Sequence, residues 1–198
     1  PRRRLHGLPY RRGRRAVRRR AADPVAVRHH LRHQPWQMLC EKTDATMRVI
    51  PIKNDGTLDT DEYKSMLNPK VKFVFVNHVS NTLGTINPIE LIIELAHKNN
   101  SQVLIDGAQG AAHLKINLNE LNVDYYVASA HKLCGPTGVG FLYGKSELLN
   151  SLPAYQGGGE MISNVTFEKT EYADLPHKFE AGTPNIAGVI AFGVALDY

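Results

Sequence analysis

Two short runs carry the residues best suited to covalent chemistry: Asp106-Gly107-Ala108-Gln109 and, further on, Ser129-Ala130-His131-Lys132. A lysine amine condenses with an aldehyde to give a Schiff base, and a carboxylate on an earlier strand can hold a pyridine nitrogen protonated. Together these are what pyridoxal 5'-phosphate (PLP) chemistry asks of a protein. Each residue also has a plainer reading. Lys132 on its own reads as a strand-end residue snorkelling to solvent, and it is the surrounding residues that make this the lesser reading. Asp106 at a buried strand end needs a partner, which a protonated pyridinium supplies and a structural helix cap supplies equally. Gln109 can hydrogen-bond a cofactor's phenolic oxygen or the backbone of its own loop. Ser129 and His131 can both donate to a phosphate, helped by the electropositive start of a following helix or loop, or stand as ordinary satisfied polar groups.

Such runs need rigid elements behind them. Val71–Asn77 is a nearly continuous apolar run, the mark of a strand covered on both faces. Gln102–Ile105, Tyr125–Ala128 and Gly140–Tyr143 read as further strands, and Thr46–Ile52 as a short one followed by the turn Asn54-Asp55-Gly56. Thr60–Leu67 is expected to be helical, capped by Asp59 or Thr60 with Asp61 and Glu62 in the first turn. Pro88–Asn99 carries Ile89, Ile92, Ile93, Leu95 and Ala96 at helical spacing. The alternation predicts an α/β layer fold, a mixed and mostly parallel sheet with helices on both faces. Ligands of such sheets sit beyond the carboxyl ends of the strands. Asn77–Asn81, Asp106–Gln109 and Ser129–Lys132 all fall just after predicted strands, so three polar clusters converge there.

Charge divides the 198 residues unevenly. Residues 1–34 hold twelve of the thirteen arginines and one acid, a balance of +11, and the remainder carries −6. The overall +5 therefore describes neither part and does not argue for a nucleic-acid partner. Up to about Val27 the arginine-rich stretch has no clear apolar periodicity and is expected to be disordered or non-native. A basic arm has only Tyr10 to stack on bases, and a transit peptide would contain serine, which this stretch lacks. Cys40 and Cys134 are too few for a disulfide scaffold or a cysteine-only metal site. No apolar run approaches the roughly 20 residues of a membrane-spanning helix, and a cytoplasmic setting is the default. Gly135–Gly140 and Gly157–Gly159 do not end as a nucleotide-binding glycine loop does, and no zinc-protease pattern occurs. The adjacent His29-His30 is a weak metal signal, since neighbours on a regular element point apart.

Read as an ordered string, the motifs are recognisable. They are His29-His30 followed by Pro35-Trp36-Gln37; His78-Val79-Ser80-Asn81 with Leu83-Gly84-Thr85; Asp106-Gly107-Ala108-Gln109; His131-Lys132-Leu133 with Gly135-Pro136-Thr137-Gly138; Gly157–Ile162; and Phe179–Asn185. From about His29 to Tyr198 the chain resembles the fold-type I, PLP-dependent cysteine desulfurases of the SufS/Csd type, also known as selenocysteine lyases, within the class-V aminotransferases. The resemblance implies that Lys132 carries the PLP Schiff base, Asp106 pairs with the pyridine nitrogen and Gln109 contacts the phenolic oxygen. It implies that Ser129 and His131 bind phosphate, that His29 stacks over the ring and assists proton transfers, and that Asn81 contacts cofactor or substrate. Thr183 would reach the phosphate bound in the other subunit of a homodimer.

The implied reaction converts L-cysteine (or L-selenocysteine) to L-alanine. A cysteine thiolate of the enzyme takes the sulfur as a persulfide and passes it to an acceptor protein for iron–sulfur cluster assembly. By the same resemblance, residues 29–198 are the central part of the PLP-binding large domain. Residues 1–28 form a separate arginine-rich segment, and the C-terminal small domain, with the nucleophilic cysteine and the substrate-binding arginine, is absent. Cys134, where the family often has an aromatic, is expected to be a packing residue. Alternatives are a selenocysteine lyase or other PLP lyase of the same fold, or a non-catalytic chain that binds PLP as a scaffold or subunit.

Overall fold

A computed structural model describes the chain at residues 23–27 and 33–198. Its centre is a six-stranded sheet in the order β2-β1-β3-β4-β5-β6. The strands are β1 (Asp23–Val27), β2 (Arg48–Ile50), β3 (Val71–Asn77), β4 (Gln102–Asp106), β5 (Tyr125–Ser129) and β6 (Gly140–Gly144). The first five run parallel and β6 returns antiparallel along β5, so the sheet is mixed and mostly parallel.

Helices make the crossovers that parallel strands require. They are α1 (His33–Thr43) between β1 and β2, α2 (Thr60–Met66) between β2 and β3, and α3 (Ile89–Lys98) between β3 and β4. The short α4 (Gly110–His113) and α5 (Leu118–Leu121) link β4 to β5, and α6 (Ser146–Ser151) follows β6. The Asp59 carboxylate accepts from the Asp61 and Glu62 amides and so caps α2. The helix stops at Met66, one residue short of the expected Leu67.

Side-chain alternation along the strands separates two layers. On one face Val74 and Val76 of β3, Val103 and Ile105 of β4 and Tyr126 of β5 join Ile89, Ile92, Ile93 and Ala96 of α3 and Tyr63 of α2 in the main core. Each isoleucine buried there contributes roughly 2 kcal/mol by removal from water. On the other face Trp36 of α1 lies against Phe73 and Phe75, with ring centroids 5.0 and 5.4 Å apart. Helices thus cover both faces. Beyond the sheet, a two-stranded hairpin, β7 (Ile162–Val165) and β8 (Thr170–Tyr172), precedes α7 (Ile186–Asp197), whose Phe192 stacks on Phe141 of β6.

Two expectations need correcting. Residues up to about Val27 are not all unstructured, because Asp23–Val27 is a strand seated between β2 and β3. Its regularity comes from pairing on both edges, which composition cannot reveal. Strand β2 is also shorter than Thr46–Ile52. Pro51 offers no amide to a ladder, and Ile52 instead bridges to Leu58.

Candidate active site

Sheet register places the polar strand ends side by side. Asp106 is paired with Asn77 of β3 on one side and with Val127 of β5 on the other. Period-two alternation puts Asn77, Asp106, Val127 and Ser129 on one face of the carboxyl edge. Asp106 is only 3% exposed. One of its carboxylate oxygens accepts the Ala108 amide proton at 2.9 Å, turning the chain sharply. The Gly107 N–H donates to the Val127 carbonyl at 2.8 Å, which ties this turn to β5. Gln109, half-buried, then occupies the cap position of α4.

Lys132 sits on the next strand end. Strand β5 finishes at Ser129, and Ala130–Lys132 makes a single 3-10 turn. The turn is closed at its base: the Ala130 N–H donates to the Val139 carbonyl at 3.0 Å, and the Ala130 carbonyl accepts from Leu133 and Gly135. Cys134 enters the left-handed region at φ 58° to complete the return. Ser129 and Lys132 are half-buried and His131 is exposed.

The other expected residues are placed unequally. Asn81 is exposed on the loop after β3. That loop is shaped by the Ser80 hydroxyl, which accepts from the Leu83 amide. Thr183 is exposed in the segment before α7, held where the Gly182 N–H donates to the Gly159 carbonyl at 2.9 Å. Gly188 of α7 sits against Val139, so this segment abuts the return from Lys132 to β6. His29 lies outside the described residues. The structure therefore gathers Asp106, Gln109, Ser129, His131 and Lys132 on two adjacent strand ends, with Asn81 on the neighbouring loop.

Three further residues belong to this edge. His78, buried, places Nδ1 3.3 Å from the Tyr126 hydroxyl, and the two rings meet edge to face. Burial holds the His78 imidazole below its ordinary range, against the upward pull of the Glu90 carboxylate. Burial also pushes the Tyr126 phenol up to about 12. Asn87 donates to the Asn77 carbonyl at 2.7 Å and fixes the end of β3. The sequence did contain a signal for His78, since positions 74, 76 and 78 share one face of β3. Its contact with Tyr126, 48 residues away, has no local signature.

The donor set fits PLP. A buried carboxylate stands in register beside the strand that carries a half-buried amine, with a hydroxyl and an imidazole flanking that amine. These are the groups a pyridine nitrogen, an aldehyde and a phosphate call for.

Comparison with known proteins places the chain in a family. The aminotransferase class-V family model matches residues 13–198. A cysteine desulfurase from Cronobacter sakazakii is 49% identical over 175 residues, covering 88% of this chain and 43% of that protein. A probable cysteine desulfurase from Synechocystis is 46% identical over 182 residues, covering 90% and 43%. The crystal structure of the cysteine desulfurase CsdA from Escherichia coli superposes with a TM-score of 0.86 at 36% identity, covering 89% of this chain and 45% of that one. The chain thus spans about 43% of the length of the curated relatives it matches. With its mixed sheet, its carboxylate and lysine at adjacent strand ends and a family match over residues 13–198, the chain belongs to the aminotransferase class-V family.

Proposed function

We propose that this chain forms the cofactor-binding part of a PLP-dependent cysteine desulfurase, which converts L-cysteine to L-alanine and passes the sulfur on as a persulfide for iron–sulfur cluster assembly. The observation that carries the reading is the placement of Asp106 and Lys132 at the carboxyl ends of neighbouring parallel strands. Names borne by relatives at 46–49% identity support the choice of reaction.

When bound, PLP supplies an electron sink that stabilises negative charge at the substrate α-carbon. Lys132 would hold the cofactor through its amine, which could also serve proton transfer at the substrate α-carbon. Asp106, buried and turned by its own loop, keeps a proton on the pyridine nitrogen. Gln109 orients the phenolic oxygen, and Ser129 and His131 donate to the phosphate. Asn81 contacts cofactor or substrate from the β3 loop, and His29 stacks on the ring and relays protons. Thr183 completes the phosphate site of a second copy, making the working unit a homodimer. A sulfur-acceptor protein is the expected partner and the cytoplasm the expected setting. Among the described residues no helix is long and apolar enough to cross a membrane.

The test is to add PLP to the full-length protein, reduce with borohydride and map the modified peptide, then assay alanine release from cysteine. Modification at Lys132 together with alanine release is the expected result. A protein that takes up no PLP, or that is labelled elsewhere with no alanine formed, sinks the reading.

A further inference from the structure

The turn that carries Asp106 and Gln109 rests on two buried aromatic side chains to which the mechanism above gives no work. A side-chain carbon added at Gly107 would overlap the Tyr126 ring, and one added at Gly110 would lie 2.6 Å from His78 Nδ1. Only glycine therefore allows the backbone to settle this closely on the pair. His78 grips the turn at both ends. Its N–H donates to the Asp106 carbonyl at 2.8 Å, and its ring lies under Gly110. Its carbonyl accepts the Asn87 N–H at 2.9 Å, which holds His78 itself in place.

Simple core filling explains this arrangement poorly. Burying an imidazole and a phenol costs more than burying aliphatic groups unless their polar atoms are used. Here those atoms face each other at 3.3 Å, with the rings at 88°. His78 is only 6% exposed. It borders a cavity of about 430 Å³ shared with Asn87, Glu90, Lys115 and Asn117. Tyr126 and Gly110 both lie against the ring. Both side chains reach the turn from the face opposite the one that bears Asp106 and Ser129.

We propose that His78 and Tyr126 are a positioning pair, a shelf that sets the height of Asp106 and Gln109 relative to Lys132 and so governs how tightly, and in which protonation state, PLP is held. The inference rests on the cofactor reading above. A carboxylate can serve a pyridine nitrogen only when held within about half an ångström of the productive geometry, which is work for supporting residues behind it.

The experiment uses the full-length protein and two readouts: the PLP dissociation constant, and the pH midpoint of the bound cofactor's visible band. Gly110→Ala is expected to weaken PLP binding about tenfold, the worth of one close polar contact, and to move the midpoint. His78→Ala alone takes away the support under Gly110 and is likewise expected to weaken PLP binding and move the midpoint. Tyr126→Phe keeps the ring beneath Gly107 and removes only the hydroxyl. It should move the midpoint while the melting temperature of the cofactor-free protein stays unchanged, and it carries the test if Gly110→Ala fails to fold. Wild-type affinity and midpoint in Tyr126→Phe, or in a folded His78→Ala, overturns the shelf alone. A wild-type protein that binds no PLP overturns the cofactor reading, and the shelf with it.

Discussion

The two ends of the sheet each bury an aspartate, and they use it differently. At the amino end Asp124, 5% exposed, accepts from His97 Nε2 at 2.9 Å, from Lys145 Nζ at 2.9 Å and from the Val103 amide at 2.8 Å. It fastens α3, β4 and the start of α6 to β5 with groups drawn from three parts of the chain. At the carboxyl end Asp106 accepts from the Ala108 amide in its own turn, beside the strand that ends in Ser129 and leads to Lys132. One carboxylate binds the fold together, and the other turns the chain at the strand end where the cofactor site is proposed. Burial alone does not distinguish a functional acid from a structural one.

Substitution should break this contrast cleanly, and the largest effect is expected at Lys132. Lys132→Ala should abolish covalent capture of PLP, read as loss of the borohydride-reduced peptide, with thermal stability of the cofactor-free protein unchanged. Asp124→Ala should do the reverse. It strands Lys145 without its partner, costing about 3–5 kcal/mol of stability measured by urea unfolding, and reaches PLP binding only through misfolding. Asp106→Ala should leave PLP loosely held, and should lower the melting temperature by less than Asp124→Ala does. Retention of full activity by Asp106→Ala in the full-length enzyme would erase the distinction between the two ends.

The smallest effect concerns pH. Burial holds the His78 imidazole below its ordinary value of 6.5, so the unfolded chain takes up a proton first as pH falls. Stability should therefore decline from about pH 6.5 downward, until the folded His78 also protonates, and be insensitive to this group above that. Comparing melting temperatures at pH 7.5 and 5.5 for the wild type and His78→Asn checks this. The variant should lose less on acidification.

How much of this could be read from the chain follows from which forces act locally. Strand β3 falls at Val71–Asn77 as its apolar run predicts. Helix α3 lies one residue inside the expected limits, with Pro88 and Asn99 as its caps. In both, the burial pattern is written in consecutive residues. Asp59 also caps α2 through a local carboxylate-to-amide bond. Strand β1 was hidden, since its neighbours β2 and β3 come from later in the sequence and arginines dominate its surroundings. Helices α1 and α7 and the β7–β8 hairpin were not foreseen. All four positions of β7 and all three of β8 are exposed, so no apolar alternation marks them. At the site, Asp106, Gln109, Ser129 and Lys132 were legible because they follow strands and belong to recognisable motifs. The shelf of His78 and Tyr126 was not, because it depends on two strands lying in one layer.

The closed base of the Ala130–Val139 return has a mechanical consequence. A segment pinned at both ends by the Ala130-to-Val139 hydrogen bond behaves as a loop hung from a fixed hinge pin. Movement of a side chain inside that loop need not open the ladder between β5 and β6. If Lys132 carries the cofactor as proposed, its amine would change partner while the register that seats Asp106 beside Val127 stays in place.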